Sequence, residues 1–508
     1  MKKLLTLSLC LLLLVSIIVG CQTGNTTTPG QTDGTKPNVT VGTNGNDTQE
    51  PGETLVPDDL PADLDFDSTT IRVTYRENQL DYFVGDNESG ELVSEAIYRA
   101  NSLVEERLNI TREWKPLADN ILTREIIKSI LSGDDQFDIV SVDQYYGTEY
   151  CAQGLYMDLS TAPYIDYEKP WYYAEYMDSL SLGEGTLFYI CGDIFPVDMM
   201  WTSAIFWNKT VYGDVIDTDM LSLYRLVDAG DWTFDRYNEM VRMAYADLDK
   251  SNSITTGDRF GTINSNHGCE HLSFSMGMTL TEKNDSGYYD VVVDTEKNDT
   301  ITELIRGHYY DNIGFYLFDT NIDGSDFPIT KFVNDECLFA QQFFVHILSE
   351  DVRDMRSEFG VVPLPKYDDT QENYIGTIHN SAFFVAVPVN VNMEKYDAIC
   401  ALIEAQGSEN YRSVRDVFFE DALKVKYNRD DENAEYTSKM IDLICDNYKV
   451  DFAYVYTRNC QDLGRIIHSA IEGGNSLAQT YGSRVLEVEA GLNDLFSAFE
   501  DFKSQDKS

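Results

Sequence analysis

The chain has 508 residues, with 38 Lys and Arg against 86 Asp and Glu and a formal net charge of −48 at pH 7. That much negative charge argues against DNA, RNA and anionic ligands as partners, and it reads first as a solvated exterior. The 32 Tyr, 25 Phe and 5 Trp supply apolar mass for large cores. About 440 residues follow the polar N-terminal region, more than one core accommodates, so two lobes are expected.

The first element is a leader. Lys2 and Lys3 precede an apolar run from Leu4 to Val19, then Gly20 and Cys21. A basic head, an apolar stretch shorter than a membrane span and a small residue before the cut describe a secretory signal over residues 1–20. The Gly20-Cys21 junction resembles a bacterial lipobox. That resemblance implies a mature chain starting at a lipidated, palmitate-bearing Cys21, anchored in the cell membrane on the extracytoplasmic face; an ordinary signal peptide or an uncleaved anchor are the alternatives. Residues 21–66 are rich in Thr, Gly, Asn and Asp and read as a disordered tether. No later apolar run is long enough to span a bilayer. Cys151, Cys191, Cys269, Cys337, Cys400, Cys445 and Cys460 are spaced widely and irregularly, which fits small buried hydrophobes with at most one bridge.

Past the tether, Ile71 to Tyr75 alternates like a strand, and Leu92, Ala96, Leu103 and Val104 mark a helix ending at Leu108. A second strand starts at Ile110. A helix through Ile121, Ile126, Ile127, Ile130 and Leu131 then stops at Ser132-Gly133-Asp134, before the apolar strand Phe137 to Val140. Strand and helix alternate, which predicts a parallel α/β sheet. Ligands of open α/β sheets bind at the carboxyl edge of the strands. This places Tyr75, Arg76 and Glu77, after the first strand, and Asp143, Gln144 and Tyr145, after the third, in a crevice.

Further motifs follow in order: Ala152 to Leu159, Ala204 to Lys209, Gly230 to Asp235 opening a helix, Phe359 to Pro365 and Ala382 to Pro388. Each is a hydrophobic strand or helix start with a turn signal. Their order from about Thr70 to about Asp442, behind a lipobox and a tether, resembles the extracellular solute-binding proteins of carbohydrate ABC importers, the family of the maltose-binding proteins. The resemblance implies a periplasmic-binding-protein-like II fold, two α/β lobes joined by a hinge, closing on a neutral sugar or oligosaccharide that an ABC permease then receives. It implies a monomer with no catalytic residues and no required cofactor. Lobe 1 is expected over 67–198 and 362–408, and lobe 2 over 199–361 and 409–508 with C-terminal helices. The crossings fall near Ile194 to Ala204 and Val362 to Asn380.

The same resemblance puts Trp201 where relatives present a ligand-contacting side chain. It puts Phe343 and Phe344 in the family's aromatic-bearing segment, where Trp is common. An aromatic face covers the C–H patch of a pyranose while neutral polar groups bond its hydroxyls. Trp201, Phe343, Tyr75 and Tyr145 are therefore stacking candidates, with plain core as the competing role. His379 and Asn380, on the return crossing, are hydroxyl donors or satisfied structural groups.

Asp247 to Asp258 matches an EF-hand-like loop, with Asp247, Asp249, Ser251 and Asp258 as oxygen ligands and apolar Ile254 expected to pin the loop to a core. Structural calcium and a solvated acidic turn both stay open here. Asp319-x-Asn321-x-Asp323-Gly324 lacks a closing acid and reads as a turn. No GxSxG, HExxH, P-loop or dinucleotide fingerprint occurs in the mature chain. A secreted glycan hydrolase, and an adhesin or structural lipoprotein with the same fold, remain the alternatives to a binding protein.

Overall fold

The computed structural model describes residues 56–421 and 431–506. The leader, Cys21 and most of the expected tether lie outside the described residues. The strands in chain order are β1 (Thr69–Arg76), β2 (Ile110–Leu117), β3 (Ile139–Asp143), β4 (Ser203–Asn208), β5 (Phe260–Asn264), β6 (Thr281–Lys283), β7 (Tyr289–Val291), β8 (Phe315–Leu317), β9 (Cys337–Phe343), β10 (Phe359–Val362) and β11 (Phe383–Ala386). They form two main sheets. The first has the order β11-β3-β1-β2, the second β10-β4-β9-β5-β8, and β6 and β7 make a separate hairpin.

In the first sheet β1 is parallel to both β2 and β3, as the alternation of strands and helices predicts. The last strand, β11, is antiparallel to β3. It re-enters from the other lobe at the carboxyl edge, so it must run back against the strands already there. In the second sheet β5, β8 and β9 are mutually parallel, while β4 and β10 are antiparallel to their neighbours.

The helix Leu92–Leu108 has the expected bounds and ends on Asn109 in the left-handed conformation, which Asn tolerates. Its buried face is Val93, Ala96, Ile97, Ala100 and Val104, at helical spacing. Leu92 and Leu103, read from sequence as part of that stripe, are exposed. The true stripe lies one position over and packs against the helix Tyr396–Glu409. Buried Arg112 on β2 ties this region together, donating to Glu105 Oε1 at 2.8 Å, Asn101 Oδ1 at 2.9 Å and Gln406 Oε1 at 2.6 Å.

Residues 56–66 are not tether. Leu60 is buried, Leu64 and Phe66 pack on the core, and Arg107 holds the Asp58 carboxylate through two bonds of 2.7 Å. The C-terminal region also differs from a simple addition to lobe 2. The helix Asp431–Cys445 packs on β10 and Ile466–Gly473 on Glu296–Tyr310, both in the second lobe. The final helix Val485–Asp506 packs on Thr148–Gln153 of the first lobe, with Phe499 edge-on to Phe188. Amphipathic spacing shows that these helices exist but cannot say which core they cover. No disulfide joins the described cysteines, and all seven are buried. Among the described residues no helix is long and apolar enough to cross a membrane.

Candidate functional site

Three segments run side by side between the two sheets. Thr202 bridges antiparallel to Ile378, with Ser203 N donating to Thr377 O at 2.9 Å and His379 N to Trp201 O at 3.1 Å. Gly376 bridges in parallel to Tyr448, whose hydroxyl lies 2.8 Å from Thr202 Oγ1. The first two are the crossings expected from sequence. The third, around Tyr448, has no repeat or turn signal that distinguishes it from an ordinary loop.

Beside these crossings, at the carboxyl ends of β5, β8 and β9, lies a cleft of about 190 Å³. Asn264, His267, His271, Gln341, Phe343 and His379 are among its lining residues. The Trp201 ring lies 5.4 Å from the Phe343 centroid and 5.7 Å from that of His379, and Phe343 meets His379 edge-on at 5.1 Å. Trp201, Phe343 and His379 are thus brought together as half-buried rings. Phe344, by contrast, is fully buried against Phe418 and Phe419.

The polar groups here are mostly neutral. Asn264 Nδ2 donates to Gln341 Oε1 at 2.9 Å, and Gln341 Nε2 donates to Gly268 O at 3.1 Å, which orients both amides. The Ser203 hydroxyl lines the cleft, buried and without a partner. His379 Nδ1 accepts from Ser381 N at 3.0 Å, so its neutral form carries the proton on Nε2 as a donor. Burial, with Arg465 and His267 nearby, pushes its pKa down to about 4. Burial likewise pushes His271 well below its ordinary range, helped by His379 and His267. At neutral pH both rings are uncharged.

The first-lobe candidates fare differently, and none of them lines this cleft. Tyr75 is fully buried and stacks on Phe83 at 4.9 Å, so it is core and not a sugar platform. Gln144 is also fully buried, its Oε1 accepting from Tyr176 Oη at 2.6 Å. Asp143 caps the following turn through Tyr146 N at 2.9 Å and pairs with Arg76 at 2.9 Å, while Arg76 also reaches Asp119 at 2.7 Å. Glu77 is exposed. Tyr145 carries the Arg465 guanidinium 4.9 Å above its ring, a contact from the first lobe to the second. Asn380 is fully buried and gives its amide to Tyr454 O at 3.1 Å, so it supports the crossing and is no ligand donor. Side chains just past a strand turn inward as readily as outward, which the carboxyl-edge rule does not resolve.

Asn264, His267, His271 and Gln341 escaped the sequence reading. Applying the carboxyl-edge rule to β5 as well as to the first lobe would have found Asn264 and His267.

The acidic loop does converge. Asp247, Asp249 and Asp258 each place a carboxylate oxygen within 4.8 Å of the others. Asn252 takes the left-handed conformation at φ 59°, as its position in the loop demands. Asp258 is fully buried with Oδ1 unpartnered, and hydrogen bonds from Thr255 and Ser251 bring Asp249 down to about 2. Ser251 turns its hydroxyl to Ser253 O. Ile254 is exposed and pins nothing; the loop is held instead through Asp258, which accepts from Tyr245 Oη at 3.1 Å and Thr255 N at 3.0 Å. Asp319 caps a short helix, Thr320–Asp323.

No protein-family model matches the sequence, and no curated protein matches it. Solved structures do resemble the fold. The sugar-binding protein MalE from the phytopathogen Xanthomonas citri is 12% identical with a TM-score of 0.55, covering 85% of this chain and 99% of its own. An ABC substrate-binding protein from Listeria monocytogenes, in complex with cycloalternan, is 11% identical with a TM-score of 0.50, covering 85% and 100%. UgpB from Mycobacterium tuberculosis, in complex with glycerophosphocholine, is 13% identical with a TM-score of 0.52, covering 84% and 99%. With its two α/β sheets, the crossing segments between them and this likeness over nearly the whole length of each relative, the chain has the two-lobed fold of the MalE-like binding proteins of ABC importers.

Proposed function

We propose that the chain is a substrate-binding lipoprotein that captures a neutral sugar or oligosaccharide between its lobes and delivers it to an ABC permease, without turning it over. The observation that carries this reading is the set of half-buried rings of Trp201, Phe343 and His379 beside the oriented amides of Asn264 and Gln341 and the unpartnered Ser203 hydroxyl. Flat apolar faces next to neutral donors and acceptors match a pyranose better than a charged solute. UgpB, with glycerophosphocholine in the same fold, makes the ligand a matter of the cleft's own chemistry. This cleft offers aromatic faces, amides and a hydroxyl.

Ligand contacts from both lobes favour a shut cleft, which a permease reads as the loaded state. Tyr145 under Arg465, and the 2.5 Å pair of Glu91 with Arg353, are contacts already made between the lobes. A thermal-shift screen against mono- and oligosaccharides tests the reading, since a ligand at a hundred times its Kd adds about 2.7 kcal/mol. A purified protein that melts unchanged across the screen, or that hydrolyses the glycan, refutes it.

Membrane attachment through Cys21 belongs to the same proposal. The Cys21→Ala variant should be released from cells or accumulate as unprocessed precursor, and a correctly processed variant retained on the membrane would remove lipidation. Structural calcium in the loop Asp247 to Asp258 is a further part of the proposal, supported by the three converging carboxylates and the unpartnered Asp258 Oδ1.

A further inference from the structure

We propose that His267, Glu270 and His468 form a site for a divalent transition-metal ion, with zinc the best-matched occupant, at the edge of the cleft that His267 lines. His267 is the N-cap of the helix Gly268–Ser275, Glu270 sits in that helix's first turn, and His468 comes from the neighbouring helix Ile466–Gly473. His267 Nδ1 is 3.7 Å from Glu270 Oε1, and the two imidazole centroids are 5.4 Å apart. One donor atom from each of the three residues lies within 4.8 Å of the other two. Tetrahedral zinc, with bonds of about 2.0–2.1 Å, sets its donors about 3.3 Å apart, so closure takes side-chain shifts of about 1 Å. The His267 side chain is 60% exposed and has room to make them.

A second observation points to a ligand. Glu270 is 1% exposed, yet its Oε1 has no hydrogen-bond partner, and neither has the buried Nε2 of His468. A carboxylate oxygen and an imidazole nitrogen left without hydrogen bonds are each costly to bury, and one cation between them satisfies both. Arg465 pairs with this carboxylate only loosely: its Nε, itself buried without a hydrogen bond, stands 3.9 Å from Glu270 Oε1, while its guanidinium lies on the Tyr145 ring. Glu472 acts on His468 from the same helix, adding negative charge.

Two imidazoles and a carboxylate suit zinc, cobalt or nickel and disfavour calcium and magnesium, so this site is chemically distinct from the acidic loop. Three protein donors leave a fourth position for water. The site does not depend on the sugar-binding reading and stands or falls separately from it.

The test is calorimetric titration of zinc into the purified, chelator-treated protein, alongside the visible absorption of a cobalt titration. Expected are one-to-one zinc binding and a tetrahedral cobalt spectrum. His468→Ala and, separately, the exposed His267→Ala should each weaken zinc by about tenfold or more and abolish the cobalt bands. Glu270→Gln should do the same with its shape preserved. A variant with Asp247→Ala and Asp249→Ala should bind zinc as the unmodified protein does. Absence of zinc heat and cobalt bands in the unmodified protein overturns the site, as does unchanged affinity in correctly folded His267→Ala and His468→Ala variants.

Discussion

Replacing Trp201 with Ala tests the stacking face beside the cleft, where its ring packs on the lining residues Phe343 and His379. The indole is half-buried already, against Phe343 at 5.4 Å and His379 at 5.7 Å. An aromatic side chain carries about 200 Å² of surface, of which no more than about a third is still open here, so about 70 Å² remains for a ligand, which at about 25 cal/mol per Å² gives about 1.8 kcal/mol. That corresponds to a rise in Kd of about twentyfold. The backbone role of the residue survives the change, because it is the Trp201 carbonyl that accepts from His379 N. Calorimetry on the best ligand from the saccharide screen, after circular dichroism shows both proteins folded, reads the effect. Phe343→Ala and the double variant complete a cycle, and since the two rings touch, their losses should not add. A Kd for Trp201→Ala within twofold of the unmodified protein would refute the stacking argument.

Other perturbations probe the frame around the cleft. Arg112→Ala leaves the buried acceptors Asn101 Oδ1 and Gln406 Oε1 unpaired and should cost about 3–5 kcal/mol, read as a lower urea midpoint; a loss under 1 kcal/mol would show the network to be expendable. With Asp247 and Asp249 both changed to Ala, a calcium-dependent rise in melting temperature should vanish, and equal melting of the unmodified protein in calcium and chelator would refute the calcium loop. Glu404, raised to about 7 by burial despite the Tyr172 hydroxyl that donates to it, is penalised in its charged form, so its contribution to stability is lost as pH rises from 4.5 towards 7. Glu404→Gln should therefore gain stability relative to the unmodified protein at pH 8 more than at pH 5. His379 works in the opposite sense: with its pKa depressed to about 4, its contribution is present above pH 6.5 and lost as pH falls towards 4, and His379→Gln should flatten that acid limb in melting curves.

The sequence by itself determined the local elements and the fold class. The helix Leu92–Leu108, β2 from Ile110, the stop at Gly133 and β10 and β11 stand close to where periodicity and turn residues put them, because these signals are local in the chain. The same is true of Asp247, Asp249 and Asp258, whose alternate spacing brings three carboxylates together within one loop. What only the tertiary structure decided is which side chains face a cavity and which elements from distant parts of the chain meet there. Tyr75, Gln144 and Asn380 satisfy every sequence criterion for a ligand contact, yet all three are fully buried, because the face a residue presents just beyond a strand depends on what packs above it. Trp201, Phe343 and His379 are brought together by the pairing of two crossings, and His267 meets His468 only because the helices Gly268–Ser275 and Ile466–Gly473 pack side by side. Contacts across such separations follow from the summed burial of both lobes, which no window of sequence contains.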